Sequence, residues 1–156
     1  MTTLANSTTA TAADRRPIDV RGPRFGAAVT TVVLALTLLT IPTTLSVILL
    51  ALQTAAFALG SLVGLQAQPY GVFFRRVVRP RLAPPTEFED PAPPRFAQTV
   101  GLGFALVGLI ALLAGATTVA YVAVGFALAA AFLNAVFAYC LGCEVYLLGK
   151  RVLSRS

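Results

Sequence analysis

The chain has 156 residues, 57% of them hydrophobic and only 12% charged, where a soluble domain carries about 25% charged residues. Such a composition cannot supply the polar exterior of a soluble fold, so the bilayer is the solvent that fits, with one domain at this length. The net charge of +6 raises nucleic acid as a partner, but the arginines flank apolar stretches and no soluble reading module accompanies them, so nucleic acid is set aside.

The distribution of charge predicts the topology. All 12 basic residues fall into three clusters: Arg15, Arg16, Arg21 and Arg24; Arg75, Arg76, Arg79, Arg81 and Arg95; and Lys150, Arg151 and Arg155. Residues 25–74 and 96–143 contain no Asp, Glu, Lys or Arg. One transmembrane helix needs about 20 apolar residues, so each window holds two helices and a tight turn. The expected fold is an all-α membrane protein of four transmembrane helices, arranged as two tandem hairpins over 23–153. Every positive charge then lies on one side, which the positive-inside rule identifies as cytoplasmic. Both termini are expected there, with the chain in an inner membrane.

Residues 1–22 are rich in Thr, Ala and Ser, then in charge. They lack the apolar core of a signal peptide and read as a disordered cytoplasmic tail. The first helix, over 24–41, opens at Pro23-Arg24-Phe25, where proline suits a first turn. Pro42-Thr43-Thr44 forms the outer turn. The second helix, over 44–65, carries Ala56, Gly60 and Gly64 at four-residue spacing, a stripe that lets another helix approach closely.

Within 68–94, Phe73, Phe74, Val77 and Val78 fall on one helical face and Arg75, Arg76 and Arg79 on the other. This predicts a short amphipathic helix in the inner membrane interface, with Arg75, Arg76, Arg79 and Arg81 at anionic lipid headgroups. The stretch 83–94 holds five prolines and reads as an extended loop. Its carboxylates, Glu87, Glu89 and Asp90, are expected to pair with the basic surface before them. The third helix is expected over 95–114 and the fourth over 118–148, the latter with a second small-residue stripe at Ala127, Ala131 and Ala135.

The halves resemble one another. Asp19-x-x-x-Pro23-Arg24-Phe25 recurs as Asp90-x-x-x-Pro94-Arg95-Phe96, Thr43-Thr44 as Thr117-Thr118, and Arg75-Arg76-Val77-Val78 as Lys150-Arg151-Val152-Leu153. An even number of spans per unit makes this a parallel internal repeat, with an axis along the membrane normal. The two hairpins are expected to pack through their small-residue stripes. Gln53 and Asn134 are amides deep in the spans, and bonding between helices is the role expected of them.

Cys140-Leu141-Gly142-Cys143-Glu144 is the one stretch with chemistry of its own. Cysteines three apart on a helix share a face, and their spacing permits a disulfide. Placed near the end of a helix running to 148, the pair meets the negative end of the helix dipole. Glu144 also opposes a thiolate, whereas Lys150 and Arg151 favour one. An independent oxidoreductase is therefore not expected. A relay driven by a partner and a purely structural pair of small apolar side chains both stay open. Two cysteines are too few for a four-ligand zinc site, and neither metal nor cofactor is expected.

RGPRF at the first helix, RRVVRPRL with EDPAPPRFAQ in the middle, and YCLGCEVYLLGKR at the end together resemble the bacterial "domain of unknown function 4395" membrane proteins, over residues 18–151. The resemblance implies a small four-helix integral membrane protein and supplies no catalytic role. Relatives that accompany thioredoxin-like or sulfurtransferase proteins point to such a protein as partner. Three functions follow: a cytoplasm-facing dithiol partner in thiol-redox or sulfur metabolism using Cys140 and Cys143; a non-enzymatic scaffold or assembly subunit, with homo-oligomers allowed; and a small transporter or channel between the halves.

Overall fold

The computed structural model describes residues 16–155. It is helical apart from one antiparallel strand pair, β1 (Ile18–Asp19) with β2 (Phe88–Glu89), in which Ile18 faces Glu89 and Asp19 faces Phe88. The helices are α1 (Arg21–Thr40), α2 (Thr44–Ala58), α3 (Pro69–Phe73), α4 (Ala92–Leu113), α5 (Thr117–Phe137) and α6 (Leu141–Arg155). α2 widens into a π turn over Leu59–Val63 and stops at Gly64, whose φ of 136° suits glycine. α3 continues through Phe74–Val78 and Arg79–Arg81 as one helical segment.

Among the described residues, four helices are long and apolar enough to cross a membrane: α1, α2 with its π turn, α4 and α5. At most 39% of the apolar window of any of them is buried inside the chain. The remaining apolar side chains point outward, as Leu39 at 81% exposure does, and lipid is the environment in which that arrangement is stable. Buried hydroxyls turn back on their own helices: Thr37 donates to the Val33 carbonyl at 2.8 Å and Thr54 to that of Leu50 at 2.6 Å. These hydroxyls are thus satisfied without water, while the buried Gln98 Oε1 of α4 has no hydrogen-bond partner among the described residues.

The four long helices form a closed ring in which α1 packs on α2 and α5, and α4 packs on α2 and α5. Leu34, Leu50, Phe57, Ala105, Val124 and Ala127 fill its centre. Because lipid tails are as apolar as leucine, such helices associate through close packing. The closest approaches lie on α4. A Cβ added at Gly101 would stand 2.7 Å from the Phe57 ring, and one at Gly108 would stand 3.1 Å from Val124 and 3.3 Å from Leu50. Gly101, Ala105, Gly108 and Ala111 make a small-residue stripe that the sequence reading passed over, because its spacing is four, then three, then three.

Three sequence expectations change. Residues 18–22, assigned to a disordered tail over 1–22, are ordered as β1 and the start of α1, while 1–15 lie outside the described residues. The Pro-rich loop contains β2, and α4 opens at Ala92, taking Pro93 and Pro94 into a first turn where a missing N–H costs nothing. Among the described residues, the carboxylate seen to pair with arginine is Asp19, outside the Pro-rich loop, which meets Arg21 at 2.8 Å and Arg79 at 3.9 Å. Arg21 also donates to the Ala83 carbonyl at 3.1 Å, so one arginine ties the start of α1 to the loop.

The fourth change is the largest. The helix expected over 118–148 is two helices, α5 and α6, separated at 138–140. Ala138 takes the left-handed conformation, φ 54°, which costs a non-glycine residue roughly 1–2 kcal/mol. The N–H groups of Ala138 and Tyr139 both turn back to the Leu133 carbonyl. About 20 residues suffice to cross the hydrocarbon, a length α5 reaches by Phe137, and the mixed polar and apolar sequence from Leu141 onward turns aside and packs on α4.

Candidate functional site

The turn between α5 and α6 builds the site. Cys140 stands at the N-cap position of α6: its carbonyl accepts the Glu144 N–H at 3.0 Å, and its sulfur accepts the Cys143 N–H at 3.2 Å. Cys140 and Cys143 are joined as a disulfide, with Cα atoms 5.1 Å apart, inside the range a disulfide accepts. Both residues are half-buried. The dithiol therefore lies at the positive, N-terminal end of a helix, the reverse of the helix-end position inferred from an uninterrupted span.

Gly142 fits this turn against the bundle. A Cβ there would lie 2.6 Å from both Cα and Cβ of Ala97, so α6 meets the backbone of α4 directly. One turn on, the Tyr146 ring stands 5.7 Å from that of Phe96. Glu144 is exposed in the first turn of α6, where a carboxylate suits the helix dipole and competes with the cysteines for it. Lys150 and Arg151 lie on the far half of α6, roughly 15 Å along the axis from Cys140 at 1.5 Å per residue. They are too distant to stabilise a thiolate there, contrary to the role expected of them.

Polar groups reinforce the same end of the bundle. Arg95 donates to the Ser61 carbonyl at 2.9 Å and to that of Leu62 at 3.3 Å, a cation on the negative end of α2. Ser61 and Thr99 hydroxyls pair at 2.6 Å. Gln53, fully buried, donates to Thr30 at 3.3 Å and accepts from the Tyr70 hydroxyl at 2.8 Å. Burial pushes the Tyr70 phenol above its usual range, which keeps it the neutral donor this bond requires. Gln68 caps α3 by accepting the Gly71 N–H at 2.7 Å. The amide role expected of Gln53 is thus visible with its partners; Tyr70 and Thr30 went unnoticed because only the fold brings residues 23 and 17 positions away beside Gln53.

The arginines Arg75, Arg76, Arg79 and Arg81 are all exposed on the segment that continues α3. Arg75 donates to the Gln66 carbonyl at 2.7 Å. That segment is pinned to α1 by Phe25, whose ring lies 5.9 Å from Phe73 and 5.7 Å from Phe74. In the small-residue stripes, Ala56, Gly60, Gly64 and Ala127 are buried, and Ala131 and Ala135 half-buried. A Cβ at Gly60 would lie 2.9 Å from the Gln98 amide of α4, whereas Ala127 joins the core cluster with Leu34 of α1. Outside the ring, an apolar groove of about 560 Å³ runs between α4 and α5, lined by Val100, Phe104, Val107, Val122 and Phe126 among others.

One family matches residues 18–151, and its description is "Domain of unknown function (DUF4395)". No curated protein and no solved structure matches the chain.

Proposed function

The chain belongs to the DUF4395 family, and from that premise we propose that it is a dithiol partner for thiol–disulfide exchange, carried on the cytoplasmic face of a bacterial inner membrane. The observation that carries this reading is the placement of Cys140 as N-cap of α6, with its sulfur receiving the Cys143 N–H. A helix N-terminus favours a thiolate over a thiol, and the thiolate is the attacking species in exchange. Cys140 is the attacking thiol and Cys143 the resolving one. In the oxidised state, a thiolate of a thioredoxin-like or sulfurtransferase partner attacks Cys140 and displaces the Cys143 thiolate. A second thiolate of the partner then attacks the partner's sulfur in that mixed disulfide, closing the partner's own disulfide and releasing the Cys140 thiolate. The partner loses two electrons and the pair gains them.

The compartment supports the same reading. Arg21 and Arg95 open two of the spans and Arg79 follows a third, and they meet there, Arg21 and Arg79 on Asp19 and Arg95 on the end of α2; positive loops remain in the cytoplasm. A disulfide in that reducing compartment is usually transient, catalytic or redox-sensing. The two tandem hairpins of the sequence reading belong to this proposal, as does their duplication. Phe25 and Phe96, matching positions of the two halves, each hold the amphipathic segment that follows their own hairpin.

The test is single-cysteine alkylation in native membranes. Cys140 in the Cys143→Ser variant should react with iodoacetamide at pH 7 several-fold faster than Cys143 in the Cys140→Ser variant. Equal rates, or a faster Cys143, would remove the assignment. A second reading, a membrane scaffold, draws on the groove between α4 and α5. It predicts that co-purifying membrane partners survive loss of both cysteines and depart on Val107→Trp.

A further inference from the structure

α6 has an apolar stripe that the bundle does not use. Leu141, Val145, Leu148 and Val152 recur at helical spacing along one side, and all four are exposed, Val152 at 67%. The side against α4 is a different one, carried by Gly142 and Tyr146, about 100° around the axis from the stripe at 3.6 residues per turn. Cys143, Glu144, Leu147, Lys150, Arg151, Ser154 and Arg155 occupy the remaining arc. Among the described residues, no side chain of α6 is buried.

We propose that α6 lies along the membrane surface and binds anionic phospholipid, with the Leu141–Val145–Leu148–Val152 stripe in the acyl layer and Arg151 and Arg155 at the phosphates. Three observations select lipid as the occupant. First, α5 is long and apolar enough to span and ends at Phe137, so three residues of turn leave α6 no room to depart from the membrane edge. Second, Arg151 and Arg155 stand on one flank of the stripe, within about 100° of it at 3.6 residues per turn, and outnumber Glu144 there, the complement of an anionic headgroup layer. Third, the basic segment after α2 is held by Phe25 as α6 is held by Phe96, so both aromatic anchors hold an amphipathic segment beside the start of a spanning helix. The placement also turns Cys143 toward water and keeps the dithiol within reach of a soluble partner. It stands whether or not that pair is redox-active.

The chain contains no tryptophan, so one introduced tryptophan reports without background. The full-length protein carrying Leu148→Trp, Val152→Trp, Arg151→Trp or Ser154→Trp is reconstituted in nanodiscs of phosphatidylglycerol, with or without bromine on the acyl chains. Tryptophan at 148 and at 152 is expected to be quenched several-fold more strongly than at 151 and 154. In mixed neutral and anionic discs, neutralising Arg151 and Arg155 to Gln should reduce quenching at 148. Equal quenching at all four positions, a water-exposed tryptophan at both 148 and 152, or an unquenched one whose emission depends on protein concentration would each overturn the proposal. The last of these would identify a second copy of the chain as the occupant.

Discussion

At Gly142, alanine would need the space that Ala97 already fills, with its Cβ 2.6 Å from a backbone atom that cannot rotate away. Overpacking of this kind costs about 1–3 kcal/mol, and here it separates α6 from α4. Gly142→Ala is therefore expected to speed tryptic cleavage after Lys150 and Arg151 and to slow closure of the Cys140–Cys143 bond, read by protease mapping and by thiol counting. The motif was legible as a dithiol, but the need for its glycine was not, because nothing in the sequence places residue 97 beside residue 142. Asp19 makes a second prediction at this scale. Hydrogen bonding to Arg21 holds its carboxyl below the usual carboxylate range. The folded state thus favours the anion, a contribution present above the ordinary value near 3.9 and lost as pH falls through the lower folded value. Protection of the Val20 amide, bonded to the Glu87 carbonyl, measured against its intrinsic exchange rate, should fall below about pH 4, and Asp19→Asn should produce the same loss at neutral pH.

Helix boundaries decide what the residues can do. The four spanning helices could be read from the uncharged windows, since length and hydropathy suffice for a helix in lipid. The division between α5 and α6 could not, because Ala138-Tyr139-Cys140 contains no glycine or proline to mark it. The available signal was the change from uniformly apolar sequence to a charged, amphipathic pattern at Leu141, and the expected helix over 118–148 ran straight through it. That choice reversed the electrostatics of the site, setting the cysteines at a C-terminus when they begin a new helix. Ala138→Gly tests the junction. Glycine accepts φ near 54° without the penalty alanine meets, so this substitution should raise the melting temperature in detergent and leave helix content unchanged. A fall in melting temperature would mean that α5 and α6 are continuous.

Across the molecule, the ring of four helices is filled at its centre by Leu34, Leu50, Phe57, Ala105, Val124 and Ala127. Close packing along its axis fits a support better than a conduit. Gathering Arg21, Arg95, the basic segment after α2 and α6 at one end gives that support a face with distinct chemistry. The account rests on the half-buried pair at that face being open to exchange in the cell. The direct measurement is the fraction of Cys140 and Cys143 present as a disulfide in intact cells, trapped by acid and resolved by a maleimide mass shift, before and after a pulse of a membrane-permeant oxidant. The account predicts a mixed population that becomes fully oxidised and returns within the pulse's recovery time. A fraction that never changes, with both sulfurs inaccessible to maleimide after reduction, would contradict it.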